Sequence, residues 1–235
     1  YGVGLNRAKE SAAPAHAVGF DAKDAVTVRD LLSNASFVSV RDQQTVDALS
    51  PHVSTPIFIS GDPALFLSRS PGEAKRQVGS QRPRIGINLP FHGPAATDRI
   101  RQDLPRYIDC FQRLQKSTGA ALFQMVHFDT ERVIGRLMQD AGLPVTIVNG
   151  SVEELQATYD TLDLHVGGML HSCILSCSVG TPCVGLAYDV KHFGFFELMQ
   201  MPDFCVPSRP FDADAVLAQC QAALQRGAEL RTHID

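Results

Sequence analysis

Two glycines and two cationic side chains form a pattern that could bind an anion. Gly167 and Gly168 follow a short apolar run, and His171 lies three residues later, in the predicted first turn of a helix. A glycine pair lets the backbone turn tightly and leaves the helix N-terminus uncovered, so its N–H groups and dipole favour a negative charge. Lys191 follows the next predicted strand. We therefore expect His171 and Lys191 to face one phosphate or carboxylate ligand.

The elements that must position these residues alternate between strands and helices. This alternation, from residue 84 onward, predicts a parallel sheet with right-handed crossovers. The carboxyl ends of neighbouring strands in such a sheet open on one crevice, where ligands bind. The expected strands are 84–89, 120–126, 144–148, 162–166, 182–187 and 203–206, preceded by 37–40 and 56–59.

Polar residues mark the starts of several predicted helices. Asp42, Asp129 and Ser151 are each expected to cap the helix that follows. Glu154 stands three residues after Ser151, which predicts a capping box. The expected helices are 26–32, 43–49, 97–116 (kinked or split by Pro105), 130–141, 152–159, 169–178, 194–199 and 212–226.

A polar stretch rich in Gly, Pro and Ser, over residues 68–83, marks the expected domain boundary. We divide the chain into the C-terminal part of an N-terminal α/β domain (1–75), a linker (76–83) and a complete C-terminal α/β domain (84–235). The first residues, YGVGLN, resemble the end of a buried strand. A further segment is therefore expected to precede them.

Other reactive side chains also follow predicted strands, namely Arg41, His92, His127 with Asp129, Tyr188 and His192. Several of the candidate residues could instead have a purely structural role. Arg41 could pair with Asp42 to hold a helix cap, Lys191 could be a solvated loop residue, and His171 could simply pack in its helix turn. His165, in the middle of a strand, is more typical of a core histidine.

Composition narrows the class of protein. The 235 residues carry a formal net charge of −4, with 44% hydrophobic and 20% charged residues, which is typical of a globular protein and unlike a nucleic-acid binder. No apolar run approaches the roughly 20 residues needed to span a bilayer. Six cysteines without a CxxC pair predict buried, reduced thiols in a cytoplasmic protein. His171 and Cys173 would point to different sides of a helix, so we expect no metal site.

A long run after Leu164 resembles the C-terminal signature of the polysaccharide pyruvyl transferases. The run is VGGMLHSCILSCSVGTPCVGLAYDVKHFGFFELM, from Val166 to Met199. The family pattern is a strand, Gly, Arg-Leu-His, a small-residue helix, Gly-x-Pro, a strand and Tyr-Asp-x-Lys. Upstream, SVRDQQTVDAL resembles the family's Val-Arg-Asp helix start, and Ile59–Ala64 resembles its Asp-Pro stretch. The resemblance covers most of residues 36–200.

This resemblance implies Rossmann-like domains of the B-type glycosyltransferase kind. It implies phosphoenolpyruvate as the donor, without a further cofactor, and transfer of pyruvate as a ketal to a saccharide in exopolysaccharide or cell-surface glycan biosynthesis. A lipid-linked acceptor would bring a cytoplasmic enzyme to the inner face of the membrane. By the same resemblance, Arg41, His171 and Lys191 would contact the phosphate or carboxylate of the donor, with His171 as a candidate general acid. Further candidate donor-binding residues are Gly167, Gly168, His127, Tyr188 and His192.

Met169 departs from the family pattern, because it stands where the family has the Arg of Arg-Leu-His. A thioether cannot donate the paired, charge-assisted hydrogen bonds with which a guanidinium binds an anion. Another cation, such as His127 or His192, would then hold the donor, or the donor would differ. Two alternatives therefore stay open: a B-type glycosyltransferase that uses a nucleotide sugar, and a non-catalytic module that binds sugars or anions.

Overall fold

The structure, a computed structural model, describes residues 4, 20–67, 82–91 and 94–234, without the side chains of residues 94–99. His92 and most of the expected linker lie outside these ranges. The chain forms two compact units. The first contains the chain up to Phe66 together with Asp189–Pro202, and the second contains Leu67–Tyr188 together with Asp203–Asp235.

Strands and helices alternate along both units, as the sequence pattern predicts. In chain order they are α1 (Ala22–Leu32), β1 (Val38–Val40), α2 (Gln43–Leu49), β2 (Ile57–Ile59), β3 (Arg84–Asn88), α3 (Pro94–Thr118), β4 (Ala121–Val126), α4 (Arg132–Asp140), β5 (Val145–Asn149), α5 (Val152–Asp160), β6 (Leu164–Gly167), α6 (Leu170–Ser178), β7 (Cys183–Ala187), α7 (Val190–Leu198), β8 (Cys205–Pro207), α8 (Ala213–Gln225) and α9 (Gly227–Ile234). Short 3₁₀ turns cover Pro63–Phe66, Asp129–Glu131 and Pro202–Phe204. Helix α9 had no sequence-based counterpart.

The second unit is built on a six-stranded parallel sheet in the order β5-β4-β3-β6-β7-β8. The chain progresses in one direction from β3 to β5 and in the other from β6 to β8. The point where the order reverses therefore lies between β3 and β6, and in open α/β sheets ligands bind outside the carboxyl ends of the strands at such a point. Beneath one face of the sheet lies a buried cluster of Met125, Leu155, Tyr159, Leu162, Leu175 and Val179.

The first unit contains a two-stranded parallel sheet, in which Val38 pairs with Ile57 and Val40 with Ile59. Its small core joins Val38, Val40 and Leu49 to partly buried side chains from α1 and α2. Helix α7 also belongs to this unit and packs on α2. Gly194 approaches α2 so closely that a Cβ built on it would lie 3.0 Å from the Cβ of Asp42. Residues 189–202, expected in the C-terminal domain, are therefore grouped by the structure with the first unit.

The local capping predictions have different outcomes. Asp42 caps α2 as expected, because its carboxylate accepts the Thr45 N–H at 2.8 Å, and the capping box of Ser151 and Glu154 is confirmed. The prediction for Asp129 is wrong. A 3₁₀ turn intervenes, and α4 begins at Arg132 without a side-chain cap. The physical reason is Glu131, because its buried carboxylate accepts hydrogen bonds from the backbone N–H groups of His127 and Phe128.

Further sequence-based expectations concern Pro105, membrane-spanning helices and metal binding. Pro105 lies inside α3 and does not split it. Among the helices of the described residues, none is both long and apolar enough to cross a membrane. The same residues contain no group of three or more His, Cys, Asp or Glu side chains arranged to hold a metal ion.

Candidate functional site

The turn from β6 into α6 lies at the point where the strand order of the sheet reverses. Gly168 donates its N–H to the backbone oxygen of Asn88 at 2.7 Å, and Met169 donates its N–H to the Asn88 side-chain oxygen at 3.1 Å. A Cβ on Gly168 would lie 2.6 Å from Pro90 Cδ and 3.0 Å from the Asn88 backbone oxygen. The end of β3 therefore packs directly against the backbone of this turn.

The reason for the glycine pair differs from the expected one. Neither glycine has a positive φ. Both are needed because neighbouring atoms approach closely: a Cβ on Gly167 would lie 2.5 Å from Cys173 Sγ and 2.6 Å from Ser172 Oγ. Glycine at 167 lets β6 pack tightly on the first turn of α6, and glycine at 168 lets β3 do the same.

Helix α6 presents its N-terminus at this edge of the sheet. It starts at Leu170, and its N-cap residue, Met169, supplies no side-chain cap. Helix N-termini carry a partial positive charge and favour anions. His171 is exposed in the first turn, whereas Met169 is only 9% exposed. At this turn an anion would meet the helix terminus and an imidazole, and Met169 supplies a thioether rather than a guanidinium.

Asn88 and Glu131 hold the surrounding strand ends together, and sequence reasoning missed both. Neither side chain is exposed to solvent. Asn88 Nδ2 donates to the Met125 backbone oxygen and to Glu131 Oε2, both at 3.0 Å, and Glu131 Oε2 also accepts the His127 N–H at 2.8 Å. Burial raises the pKa of Glu131, and these hydrogen bonds oppose that rise. A signal was available for Asn88, which is a polar residue at the end of the apolar strand RIGIN.

His127 is held at the end of β4 by a buried tyrosine. Its Nε2 lies 2.8 Å from the hydroxyl of Tyr159, a residue that is not exposed at all. Burial, helped by the nearby His171, lowers the pKa of His127 to about 4. The imidazole is therefore neutral near pH 7. It can donate a hydrogen bond to an anion, but it does not supply the positive charge expected of a substitute for the family arginine.

Tyr188 follows β7 in the same unit and is 41% exposed. His165 is fully buried in β6, with its Nε2 3.0 Å from Ser172 Oγ, as expected of a core histidine. The second unit thus carries five of the predicted site residues: Gly167, Gly168, His171, His127 and Tyr188.

The other three predicted site residues belong to the first unit. Arg41, whose side chain is 14% exposed, forms ion pairs with Asp42 at 3.3 Å and Asp62 at 3.7 Å. The ion pair named as its structural alternative is therefore present. An incoming anion would have to compete with two carboxylates for this guanidinium.

Lys191 and His192 lie in the first turn of α7. The Lys191 N–H donates to the carboxylate of Asp189, the N-cap residue, at 3.2 Å, and the Lys191 side chain is half-buried. His192 is fully buried. Its ring therefore lies in the interior of the protein, which does not suit direct contact with a ligand.

Comparisons with known proteins agree with this fold. The model of the polysaccharide pyruvyl transferase family matches residues 15–190. The crystal structure of TarM superimposes with a TM-score of 0.50 at 14% identity, over 92% of this chain and 43% of TarM. The catalytic domain of starch synthase IV from Arabidopsis thaliana gives 0.46 at 11% identity, over 88% of this chain and 52% of that domain.

No curated protein matches the chain. This chain covers less than two thirds of either solved structure. The TarM match shows the mixed α/β fold of the B-type glycosyltransferases, with a parallel sheet, as expected from the sequence. Because the family model matches more than half of its length, this chain belongs to the polysaccharide pyruvyl transferase family.

Proposed function

We propose that this protein transfers pyruvate from phosphoenolpyruvate to a sugar of a polysaccharide, or of its lipid-linked precursor, and forms a ketal. Family membership supports the substrate class. The observation that carries the proposal is the uncapped N-terminus of α6, with exposed His171 in its first turn, at the reversal point of the parallel sheet. Donor binding there follows the general rule for open α/β sheets.

Phosphoenolpyruvate carries a phosphate and a carboxylate, and both need hydrogen-bond donors. The start of α6 supplies backbone N–H groups and the positive end of a helix dipole. His127 adds a neutral imidazole. Lys191 and Arg41, which the sequence resemblance also assigns to the donor, belong to the first unit. Arg41 is paired there with Asp42 and Asp62.

The proposed reaction begins with protonation of the methylene carbon of phosphoenolpyruvate. His171 is the candidate acid, because it is exposed in the first turn of α6 and histidine is the side chain that most often transfers protons in enzymes. The adjacent carbon becomes an oxocarbenium ion, and one sugar hydroxyl attacks it and loses its proton. The bond from this carbon to the phosphate oxygen breaks, and phosphate leaves. A second hydroxyl of the sugar then attacks the same carbon, loses its proton and closes the ketal.

In this scheme the N-terminus of α6 stabilises the phosphate as negative charge develops on the leaving oxygen. Backbone dipoles that are already oriented do this without a reorganisation cost during the reaction. Met169 cannot contribute a charge. We therefore expect weaker donor binding than an arginine at this position would give, by about 1.5–3 kcal/mol for one lost charge-assisted hydrogen bond.

Thermal-shift titration with phosphoenolpyruvate, beside UDP- and GDP-sugars, tests the donor. A ligand at 100 times its Kd should stabilise the protein by about 2.7 kcal/mol. The expected result is a shift with phosphoenolpyruvate that is lost in His171→Ala and kept in His233→Ala. His233 is the matched control, an exposed histidine on α9 of the same unit. A shift with a nucleotide sugar alone would instead favour a glycosyltransferase, and no shift with any donor would favour a binding module.

Transfer itself is checked by incubating the protein with phosphoenolpyruvate and saccharide acceptors, with phosphate release and acceptor mass as readouts. Ketal formation adds the mass of pyruvate less one water to the acceptor. We expect His171→Ala to abolish this gain. A wild-type rate in His171→Ala would exclude His171 as the proton donor.

A further inference from the structure

A hydrogen bond inside the second unit connects a residue of the crevice to the core. Tyr159 lies on α5, and its hydroxyl is 2.8 Å from His127 Nε2. The two rings are tilted by 47°, with centroids 6.1 Å apart. Tyr159 also packs edge-on against His165, at 4.9 Å between centroids. The phenol is therefore enclosed by these contacts, and its hydroxyl lies within hydrogen-bond distance of the imidazole.

The partners around this bond bear on the position of its proton. Burial raises the pKa of Tyr159 well above its ordinary value, so the phenol keeps its proton. Ser172 Oγ donates its own proton to the Met169 backbone oxygen at 2.7 Å and lies 3.0 Å from His165 Nε2, so it is not a donor to the phenol. A buried O–H without an acceptor is costly. His127 Nε2, at 2.8 Å, is an acceptor for the phenol when His127 carries its proton on Nδ1.

His127 follows the carboxyl end of β4, and its other ring nitrogen is Nδ1. Within the described part of the chain Nδ1 has no hydrogen-bond partner, yet it is not among the buried polar atoms that lack one. Solvent therefore reaches it. The same end of the sheet carries exposed His171.

We propose that Tyr159 is a positioning residue that holds His127 as the neutral tautomer with its proton on Nδ1. His127 then offers an uncharged hydrogen-bond donor to an anionic ligand beside His171. The catalytic consequence of this arrangement rests on the pyruvyl transfer proposed above. The assignment of the tautomer does not depend on pyruvyl transfer.

The surroundings of His127 support a neutral ring. The titratable groups near it are His171 on α6, Tyr159 on α5, His165 on β6 and Glu131 in the 3₁₀ turn before α4. Glu131 binds the backbone N–H of His127 and not its ring. Burial and His171 both disfavour a second proton on the imidazole.

Two imidazoles in different surroundings, His127 half-buried and His171 exposed, divide the work of the proposed reaction. A neutral imidazole can donate a hydrogen bond to a carboxylate or phosphate oxygen without being poised to lose that proton. His171 remains the group that delivers a proton to carbon. Environments that separate the states of two neighbouring titratable groups commonly separate their roles as well.

Long-range ¹H–¹⁵N NMR of the imidazole side chains in the full chain tests the tautomer. His127→Gln identifies the His127 signals. In the wild type we expect the pattern of a neutral ring protonated on Nδ1, without titration between pH 8 and about pH 5. Tyr159→Phe removes only the hydroxyl, so we expect the His127 signals to shift toward the tautomer protonated on Nε2.

Tyr107→Phe is the matched control. Tyr107 is a buried tyrosine on α3 that packs against Phe211, at 4.2 Å between ring centroids. We expect Tyr107→Phe to leave the His127 signals unchanged. A wild-type ring protonated on Nε2, or titrating near pH 6.5, would overturn the proposal. If Tyr159→Phe fails to fold, the wild-type spectrum alone still distinguishes the two tautomers.

Kinetics then separate the two proposals. If phosphoenolpyruvate is the donor, Tyr159→Phe should lower kcat about 10-fold or more, the effect of one misdirected hydrogen bond, and Tyr107→Phe should not. A lack of transfer from phosphoenolpyruvate in the wild type would refute the proposed function but leave the NMR result standing. Normal transfer in Tyr159→Phe, despite a changed tautomer, would refute the role of Tyr159 in positioning.

Discussion

Asn88 and Glu131 meet across the carboxyl ends of β3 and β4, with Asn88 Nδ2 donating to Glu131 Oε2 at 3.0 Å. Both side chains are fully buried. Through its other contacts Asn88 holds the Gly168–Met169 turn, and Glu131 holds the backbone of His127. The pair therefore links the two places that carry His171 and His127, although neither residue faces the ligand in our proposal.

Replacing Asn88 by alanine should destabilise the second unit. The change leaves the Met169 N–H and the Met125 oxygen without their buried partner and removes one hydrogen bond from Glu131. Unsatisfied buried groups cost about 1–3 kcal/mol each, so we expect a total loss of about 2–4 kcal/mol. Urea unfolding measures it. Asn149→Ala, which removes an exposed contact to Asp129 at 3.3 Å, is the control and should change stability by less than about 0.5 kcal/mol.

Gly168→Ala should disturb the start of α6. The added Cβ would lie 2.6 Å from Pro90 Cδ and 3.0 Å from a backbone oxygen, and neither atom belongs to a flexible side chain. We expect a loss of about 1–3 kcal/mol, as for other overpacked sites, together with loss of any phosphoenolpyruvate-induced thermal shift.

The control for Gly168→Ala is Gly227→Ala. Gly227 opens α9, and a Cβ there meets no atom within 4 Å. Alanine favours the helix by up to about 1 kcal/mol over glycine, so the melting temperature should stay unchanged or rise. Equal stability of Gly168→Ala and Gly227→Ala would contradict the close approach of β3 to the α6 turn.

The pKa of His127 predicts a pH-dependent loss of stability. Its folded value is lowered to about 4, whereas an unperturbed histidine titrates near 6.5. Between these values the unfolded chain binds more protons than the folded one, so this contribution is fully present above pH 6.5 and is lost as the pH falls toward 4. His127→Gln should therefore unfold with a shallower pH dependence over this range. His165, whose pKa is lowered to about 3 by burial, still contributes to the slope that remains. Identical slopes in wild type and variant would argue against a half-buried, neutral His127.

The raised pKa of Glu131 should give stability the opposite dependence on pH from that of His127. Burial raises its folded pKa above an unfolded value of about 4.3. Its contribution to stability is fully present below about pH 4.3 and is lost as the pH rises through the folded value. Glu131→Gln keeps an oxygen that accepts from His127 and Asn88 but cannot ionise. The stability of Glu131→Gln relative to wild type should therefore increase as the pH rises from 4 to 7, as measured by urea unfolding at each pH. A relative stability that falls over this range would show that the ionised carboxylate is the favoured form.

The amino-acid sequence by itself determined most of the local structure. The alternation of apolar strands and helices, the Asp42 cap of α2 and the capping box of α5 depend on residues within a few positions of each other. The Val166–Met199 signature identified the family for the same reason, since its motifs are contiguous in the chain. Short-range periodicity and capping chemistry are sufficient for such features.

Tertiary structure alone decided which residues surround the candidate site. Asn88 lies 81 positions from Met169, and they meet only because β3 pairs with β6. Long-range pairing also decides that His127 is half-buried and His192 fully buried, that Asp62 lies beside Arg41, and that α7 is grouped with the first unit. Local patterns carry no information on strand order, and strand order determines which groups lose water. For His127 that loss of water lowers the pKa, and the role that we propose for its ring depends on it.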